Sequence, residues 1–255
     1  MLPELDKIKD KRTLLVMEKL LQLRDRRVYF ALNHHRNTHG NPMDFAGNKH
    51  LREIYNSLAQ EMVLQGSVQS LKTEFGIIDH LACASLGLAV FFVLPKYESR
   101  GTFVQNRVDK CIQMVNEYKK FLSSGFFDNV AMKSFGKGVI KYVGSNVVGD
   151  FREFPGDVMF VEEMDDCDQL NLKFAEDRLR ASNYQFKRFI GNPTVEDFGI
   201  NSAYKKSDQR HWHIICQSCK EPVMLDWFNC VVNTILDSDG IPKDYELLDS
   251  DSKEV

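Results

Sequence analysis

Between Glu61 and Pro193, short apolar runs alternate with helical stretches, and this alternation restricts the possible folds more than any other feature of the chain. EMVLQ is followed by the helical TEFGIIDHLACASL, then LAVFFVLP by TFVQNRVDKCIQMVNEYKKFL; GVIKYVG, DVMFVEE, the helical QLNLKFAEDRLRAS and FKRFIGNP complete the series. Strands interleaved with helices of this length predict an α/β fold: a mainly parallel central sheet flanked by helices on both faces. Ahead of it, ELDKIKDKRTLLVMEKLLQLRDRRVYFAL repeats apolar residues at helical spacing with charges between them, an amphipathic N-terminal helical cap. NHHRNTHGNPMDFAGN reads as a connection and HLREIYNSLAQ as a short helix. Beyond the series, HWHIIC and EPVMLDW read as a C-terminal β-hairpin around CQSCKEP, and the acidic DSDGIPKDYELLDSDSKEV as a linker. The expected division is a cap over residues 1–45, a core over 46–232 and a tail over 233–255.

A chain of 255 residues that is 43% hydrophobic has the balance of a soluble globular protein and enough length for a substantial core. A formal charge of -3 excludes a uniformly basic nucleic-acid binder but leaves room for local basic patches such as KSFGKGVIK and YKKSDQR. The longest apolar runs fall well short of a membrane span, and MLPELDKIKDK lacks the apolar centre of a signal peptide, so a cytosolic location without membrane is expected. Six cysteines with only Cys216 and Cys219 closely spaced do not make a disulfide framework.

The stretch GSVQSLKTEF is almost G-x-x-x-x-G-K-[ST], the loop that wraps nucleotide phosphates, and it lies where that loop must lie, between a strand and a helix. Backbone N–H groups of Gly66, Ser67, Val68, Gln69, Ser70 and Leu71 would surround the phosphates, Lys72 would reach the β and γ oxygens, and the Thr73 hydroxyl would bind Mg²⁺. Leu71 stands where the second glycine belongs, so its Cβ either points away from the phosphates or narrows the site.

ATP hydrolysis also needs, at the end of a neighbouring apolar strand, one carboxylate for the Mg²⁺ shell and another to activate the attacking water. DVMFVEEMDD supplies both: Glu162 takes the metal position and Glu163 the water-activating one. FIGNPT ends a further strand in small polar groups at the sheet edge where ligands bind, which makes Asn192 and Thr194 candidates for contact with the γ-phosphate or the lytic water. Tyr55, shortly before the loop strand, is a candidate to stack on adenine. The fold expected from these motifs is a P-loop NTPase of the ASCE/RecA-like class.

With these motifs in order, the chain resembles the large terminase subunit of tailed double-stranded DNA bacteriophages, in particular the lambda-like branch. The resemblance runs from about His50 to Trp227 and is carried by FIGNPTVEDFGINSAYKKSDQRHWHIICQSCK, VLPKYESRGTFVQNRV and GSNVVGDFREFPGDVMFVEE. Terminases are known for irregular loops at the position of Leu71. The resemblance implies an ATPase motor that works as a homo-oligomeric ring, binds double-stranded DNA, portal protein and small terminase subunit, and acts in the host bacterial cytoplasm at the procapsid portal. Arg152 in DFREFPGD matches the arginine that related terminases carry shortly before the acidic strand and supply to a neighbouring subunit; the arginine that others carry inside the loop is replaced here by Val68. Terminases also carry a nuclease domain, and too few residues follow Asn229 to form one, so an ATPase fragment without nuclease activity, monomeric or ring-forming, is expected.

Two other readings stay open: a helicase-like P-loop ATPase, and a degenerate P-loop protein that holds DNA or portal without turnover. Cys216 and Cys219 are candidate zinc ligands, with His211 or His213 and Cys230 to complete the set, or else a reduced pair at a hairpin tip. His34, His35 and His39 lack finger or helical spacing and are expected in a solvated loop. Lys133, Lys137, Lys205 and Lys206 are candidates for sequence-independent DNA phosphate contacts.

Overall fold

The computed structural model describes residues 8, 10–122, 126–152, 154–224, 232–238 and 242–247. Its elements are α1 (Lys11–Asn33), α2 (Leu51–Asn56), β1 (Glu61–Gln65), α3 (Lys72–Ser85), β2 (Ala89–Leu94), α4 (Ser99–Phe103), α5 (Lys110–Met114), α6 (Asn116–Phe121), β3 (Met132–Phe135) and β4 (Gly138–Gly144). They continue with β5 (Val158–Val161), α7 (Gln169–Asp177), β6 (Phe186–Gly191), α8 (Gly199–Lys205), β7 (Ile214–Ile215), β8 (Pro222–Val223), β9 (Val232–Leu236) and β10 (Pro242–Leu247). Contacts divide the chain into one unit over Met1–Asp208 and a second over Gln209–Val255.

The first unit holds a six-stranded sheet in the order β1-β6-β5-β2-β4-β3. All neighbours are parallel except β3, which pairs antiparallel with β4 at the edge. Because strand side chains alternate faces, Val90, Phe92, Val158 and Phe160 join one core with α1 and α3, while Phe91, Val93, Met159 and Val161 join another with α7 and α8. This is why strands this short are continuously apolar: both faces are covered. The insertion of β6 between β1 and β5 brings the end of the GNPT strand between the loop strand and the acidic strand.

Helix α3 lies between α1 and the sheet, and it is buried from Glu74 through Ser85. A buried ionic cluster fixes it there. Asp79 accepts from Arg27 Nη1 of α1 at 2.9 Å and from Arg188 Nε of β6 at 3.0 Å, and all three side chains are at most 1% exposed. Arg27 also donates to the carbonyls of Tyr55 and Ser57, and Arg188 to those of Gln60 and Lys187.

Three expectations change. The helix expected over 102–122 is interrupted by a π-helical turn at Val104–Asp109 and by extended backbone at Val115, so that α6 can turn and set Tyr118 and Phe121 against Phe30; tertiary packing outweighs the helical period. MKSF, not assigned as a strand, forms β3 through a tight turn in which Gly136 takes φ +63. In the second unit, β7 and β8 form the expected hairpin. The acidic stretch expected to be a linker carries β10, which pairs antiparallel with β9 just before it.

Candidate nucleotide site

The parallel strands end along one edge, and each carries its candidate residues there: β1 runs into Gly66, β5 into Glu162 and β6 into Asn192. Gly66 N–H donates to the Gly191 carbonyl, which ties the start of the loop to the end of β6. The loop then climbs to α3 through two residues in the left-handed region, Gln69 at φ +61 and Leu71 at φ +62. Leu71 thus adopts the backbone shape that a glycine would supply, at a cost of about 1 kcal/mol or more. Its side chain resolves the alternative left open by the sequence: it packs against the apolar core around α3. No side chain caps the N-terminus of α3, so the N–H groups of its first turn, at the positive end of the helix dipole, present a set of donors for an anion.

Lys72 Nζ lies 2.8 Å from Asn192 Oδ1 and also donates to the carbonyls of Gly66 and Ser67. The Thr73 hydroxyl donates to Glu162 Oε1. The structure therefore forms two hydrogen-bonded groups, Lys72 with Gly66 and Asn192 and Thr73 with Glu162, side by side because Lys72 and Thr73 are consecutive, although their members come from three strand ends. Partial burial lowers the Lys72 ammonium from its ordinary range, and the Glu163 and Glu162 carboxylates act against that shift. At Glu163 the backbone turns left-handed with φ +49, leaving the side chain half-buried while Glu162 is buried. This bend lets both adjacent acids border the site.

Burial, opposed by the Thr73 hydrogen bond, pushes the Glu162 carboxyl up to about 7. Its Oε2 is buried without a partner among the described residues, beside the Thr73 hydroxyl, so the pair fits a hard divalent cation that takes oxygen ligands. A carboxyl raised in the folded protein holds a proton that the unfolded chain has released. The resulting stability is full below the unfolded value of 4.5 and is lost as pH rises through about 7. In magnesium-free buffer, unfolding in urea is expected to require less denaturant at pH 8 than at pH 5. Glu162→Gln should flatten that dependence, and an unchanged slope would contradict the assigned burial.

Other candidates lie elsewhere. Tyr55, expected to stack on adenine, is 1% exposed, with its ring edge-on to Phe45 and Phe75 in the core; an aromatic on a short helix under α1 has no open face for a base. The Thr194 hydroxyl and N–H both donate to Asp165 Oδ2, and Ile200 N–H donates to Asp165 Oδ1. Sequence reasoning missed Asp165, which fastens the β6 exit to the β5 exit; its signal was the acidic run after Glu163. Ser67, Val68 and Ser70 belong to the loop, with Val68 exposed and Ser70 Oγ 3.2 Å from Lys72 Nζ. Arg152 is exposed in the connection between β4 and β5, directly after the turn Val148–Phe151. Among the described residues, no hydrogen bond or ion pair joins it to Lys72, Thr73 or Glu162.

His35 corrects the solvated-loop expectation: it is fully buried, with Nε2 2.7 Å from Glu74 Oε2. Lys133, a DNA candidate, is also buried, between Asp109 at 2.8 Å and Asp128 at 2.7 Å. Lys137, Lys205 and Lys206 are exposed, and Lys205 pairs with Glu196 and Asp197. Among the described residues, no group of three histidine, cysteine or acidic side chains is placed to hold a metal, so zinc at Cys216 and Cys219 is not supported; Cys230 lies outside the described residues. Also among the described residues, no helix is long and apolar enough to cross a membrane.

Residues 46–242 match the family described as phage terminase large subunit gpA, ATPase domain. The chain belongs to this family. It is a terminase ATPase domain, the ATP-using part of a DNA-packaging motor, and the helicase-like reading is not favoured. The large terminase ATPase domain of Thermus phage P74-26 is similar in structure, with a TM-score of 0.48 and 13% identity over 66% of this chain and 69% of that one. Comparison with curated proteins finds no match. Arg27 and His35, which hold α3 of the terminase domain from the side of α1, precede the matched stretch.

Proposed function

We propose that this terminase domain hydrolyses ATP at the loop Gly66–Thr73 and that the energy moves double-stranded DNA into a procapsid. The observation that carries this reading is the convergence of Lys72, Thr73, Glu162 and Asn192 at the free N-terminus of α3. In this reading the loop N–H groups and Lys72 bind and orient the triphosphate, and their charge offsets that developing on the transferred phosphoryl group. Thr73 and Glu162 would hold Mg²⁺, which supplies charge neutralisation on the phosphate oxygens when bound. Glu163 accepts the proton of the attacking water. Asn192, bonded to Lys72, senses whether the ammonium is engaged with phosphate. Arg152 serves the site of a neighbouring subunit in a ring. The cap over residues 1–45 holds α3 in place, and residues 233–255 lead toward a nuclease domain. Double-stranded DNA is bound through its phosphates, with Lys137, Lys205 and Lys206 the exposed candidates from the first unit. Portal protein and small terminase subunit are the expected partners, at the procapsid in the host cytoplasm.

Calorimetry of Mg²⁺-ATP binding tests the site. Lys72→Ala is expected to weaken affinity by about ten- to a hundredfold, the worth of one or more hydrogen bonds to a charged group. Equal affinity in wild type and variant would remove the phosphate-loop assignment.

A further inference from the structure

Directly after Thr73, in the first turn of α3, stands a buried carboxylate, Glu74, whose side chain is 7% exposed. A negative charge at the end of a helix that is to receive phosphates opposes them unless it is compensated. His35 Nε2 contacts Glu74 Oε2 at 2.7 Å, and the His35 ring is held in turn by the Tyr118 hydroxyl at 3.3 Å and the Cys111 thiol at 3.4 Å from Nδ1. From the other side Arg107 approaches Glu74 Oε1 with Nη1, at 3.5 Å.

The manner of that approach separates Arg107 from the structural arginines of the same protein. Arg27 and Arg188 are buried, with short contacts to Asp79 and several backbone carbonyls. Among the described residues Arg107 makes one long contact, its side chain is 46% exposed, and it rides on the π-helical turn Val104–Asp109 that follows β2. A guanidinium carries five donors, and one weak contact leaves most of them available.

We propose that Arg107 is a cis-acting residue of the nucleotide site, its guanidinium swinging from Glu74 to the terminal phosphate of ATP while His35 holds Glu74 in place as a positioning residue. This rests on the nucleotide site proposed above. It adds that the site distinguishes a triphosphate from a diphosphate through a side chain outside the loop.

The test is calorimetry on the full chain with Mg²⁺ and either ADP or a non-hydrolysable ATP analogue. Arg107→Gln combined with Glu74→Gln removes the cation without leaving a buried carboxylate unpaired, so folding is preserved. In this double variant the preference for the analogue over ADP should fall at least about tenfold, with ADP affinity changed by less than about twofold. Arg107→Lys should recover part of the preference, since it keeps the charge but not the fork. An unchanged preference, or equal weakening of both nucleotides, would overturn the proposal by confining Arg107 to a structural role. Lys72→Ala run alongside separates the two levels: indifference of both nucleotides to Lys72 refutes the underlying site, whereas dependence on Lys72 with no effect of Arg107 refutes only the present inference.

Discussion

Glu163→Gln is expected to slow phosphate release by roughly 10²–10⁴-fold while Mg²⁺-ATP still binds, because a positioned general base contributes about that much and its amide cannot accept a proton. The two adjacent acids differ in what surrounds them. Glu162 is buried and bonded to Thr73, and its raised carboxyl suits a role that a divalent cation completes. Glu163 sits half-buried past the bend, near enough to act on Lys72, and among the described residues its carboxylate has no hydrogen-bond partner that would compete with a water. If the proposed ring, with Arg152 serving a neighbour, is required for turnover, the assay is run at concentrations that favour assembly, with binding measured in parallel. Wild-type turnover in Glu163→Gln would move the base to another residue.

Asp79→Ala is expected to cost about 3–5 kcal/mol of stability, since it leaves two buried guanidinium groups facing each other without the carboxylate between them. Asp79 is fully buried, and its two oxygens each take one arginine, from α1 and from β6. The same carboxylate thereby sets α3 against the strand that carries Asn192. Urea unfolding of the variant measures the loss, and nucleotide affinity should fall with it as the loop loses its backing. A loss under about 1 kcal/mol would mean that the arginines find other partners, and the cluster would then be incidental to the fold.

Much of the site was legible because its chemistry is local. Gly66, Lys72 and Thr73 belong to one short motif at a strand–helix junction, and Glu162 and Glu163 end an apolar run; spacing made each a candidate, and the family resemblance carried more of the assignment. Leu71 was legible as a departure, but which way its side chain points was not, since that depends on the left-handed backbone and on the core beneath it. Tyr55 shows the opposite failure. Its position before the loop strand suggested a base pocket, yet Phe45 and Phe75 enclose it, and neither contact has a signature in the residues around Tyr55.

His35 was misread for the same reason. Polar, turn-rich sequence ordinarily means solvent, and only the folding of α6 and α3 around that loop supplies the Tyr118 hydroxyl and Glu74 carboxylate that make its burial tolerable.

The amino-acid order alone determined the alternation of strands with helices, the parallel sheet, and the edge at which the loop and the acids emerge, because side-chain periodicity and turn chemistry act over a few neighbouring residues. Tertiary structure alone decided that β6 lies between β1 and β5, that Asp79 joins two arginines, and that His35, Glu74 and Arg107 meet beside the phosphate loop. These depend on pairings between residues far apart in the chain. Their energy comes from burial and charge compensation that exist only once the layers have packed.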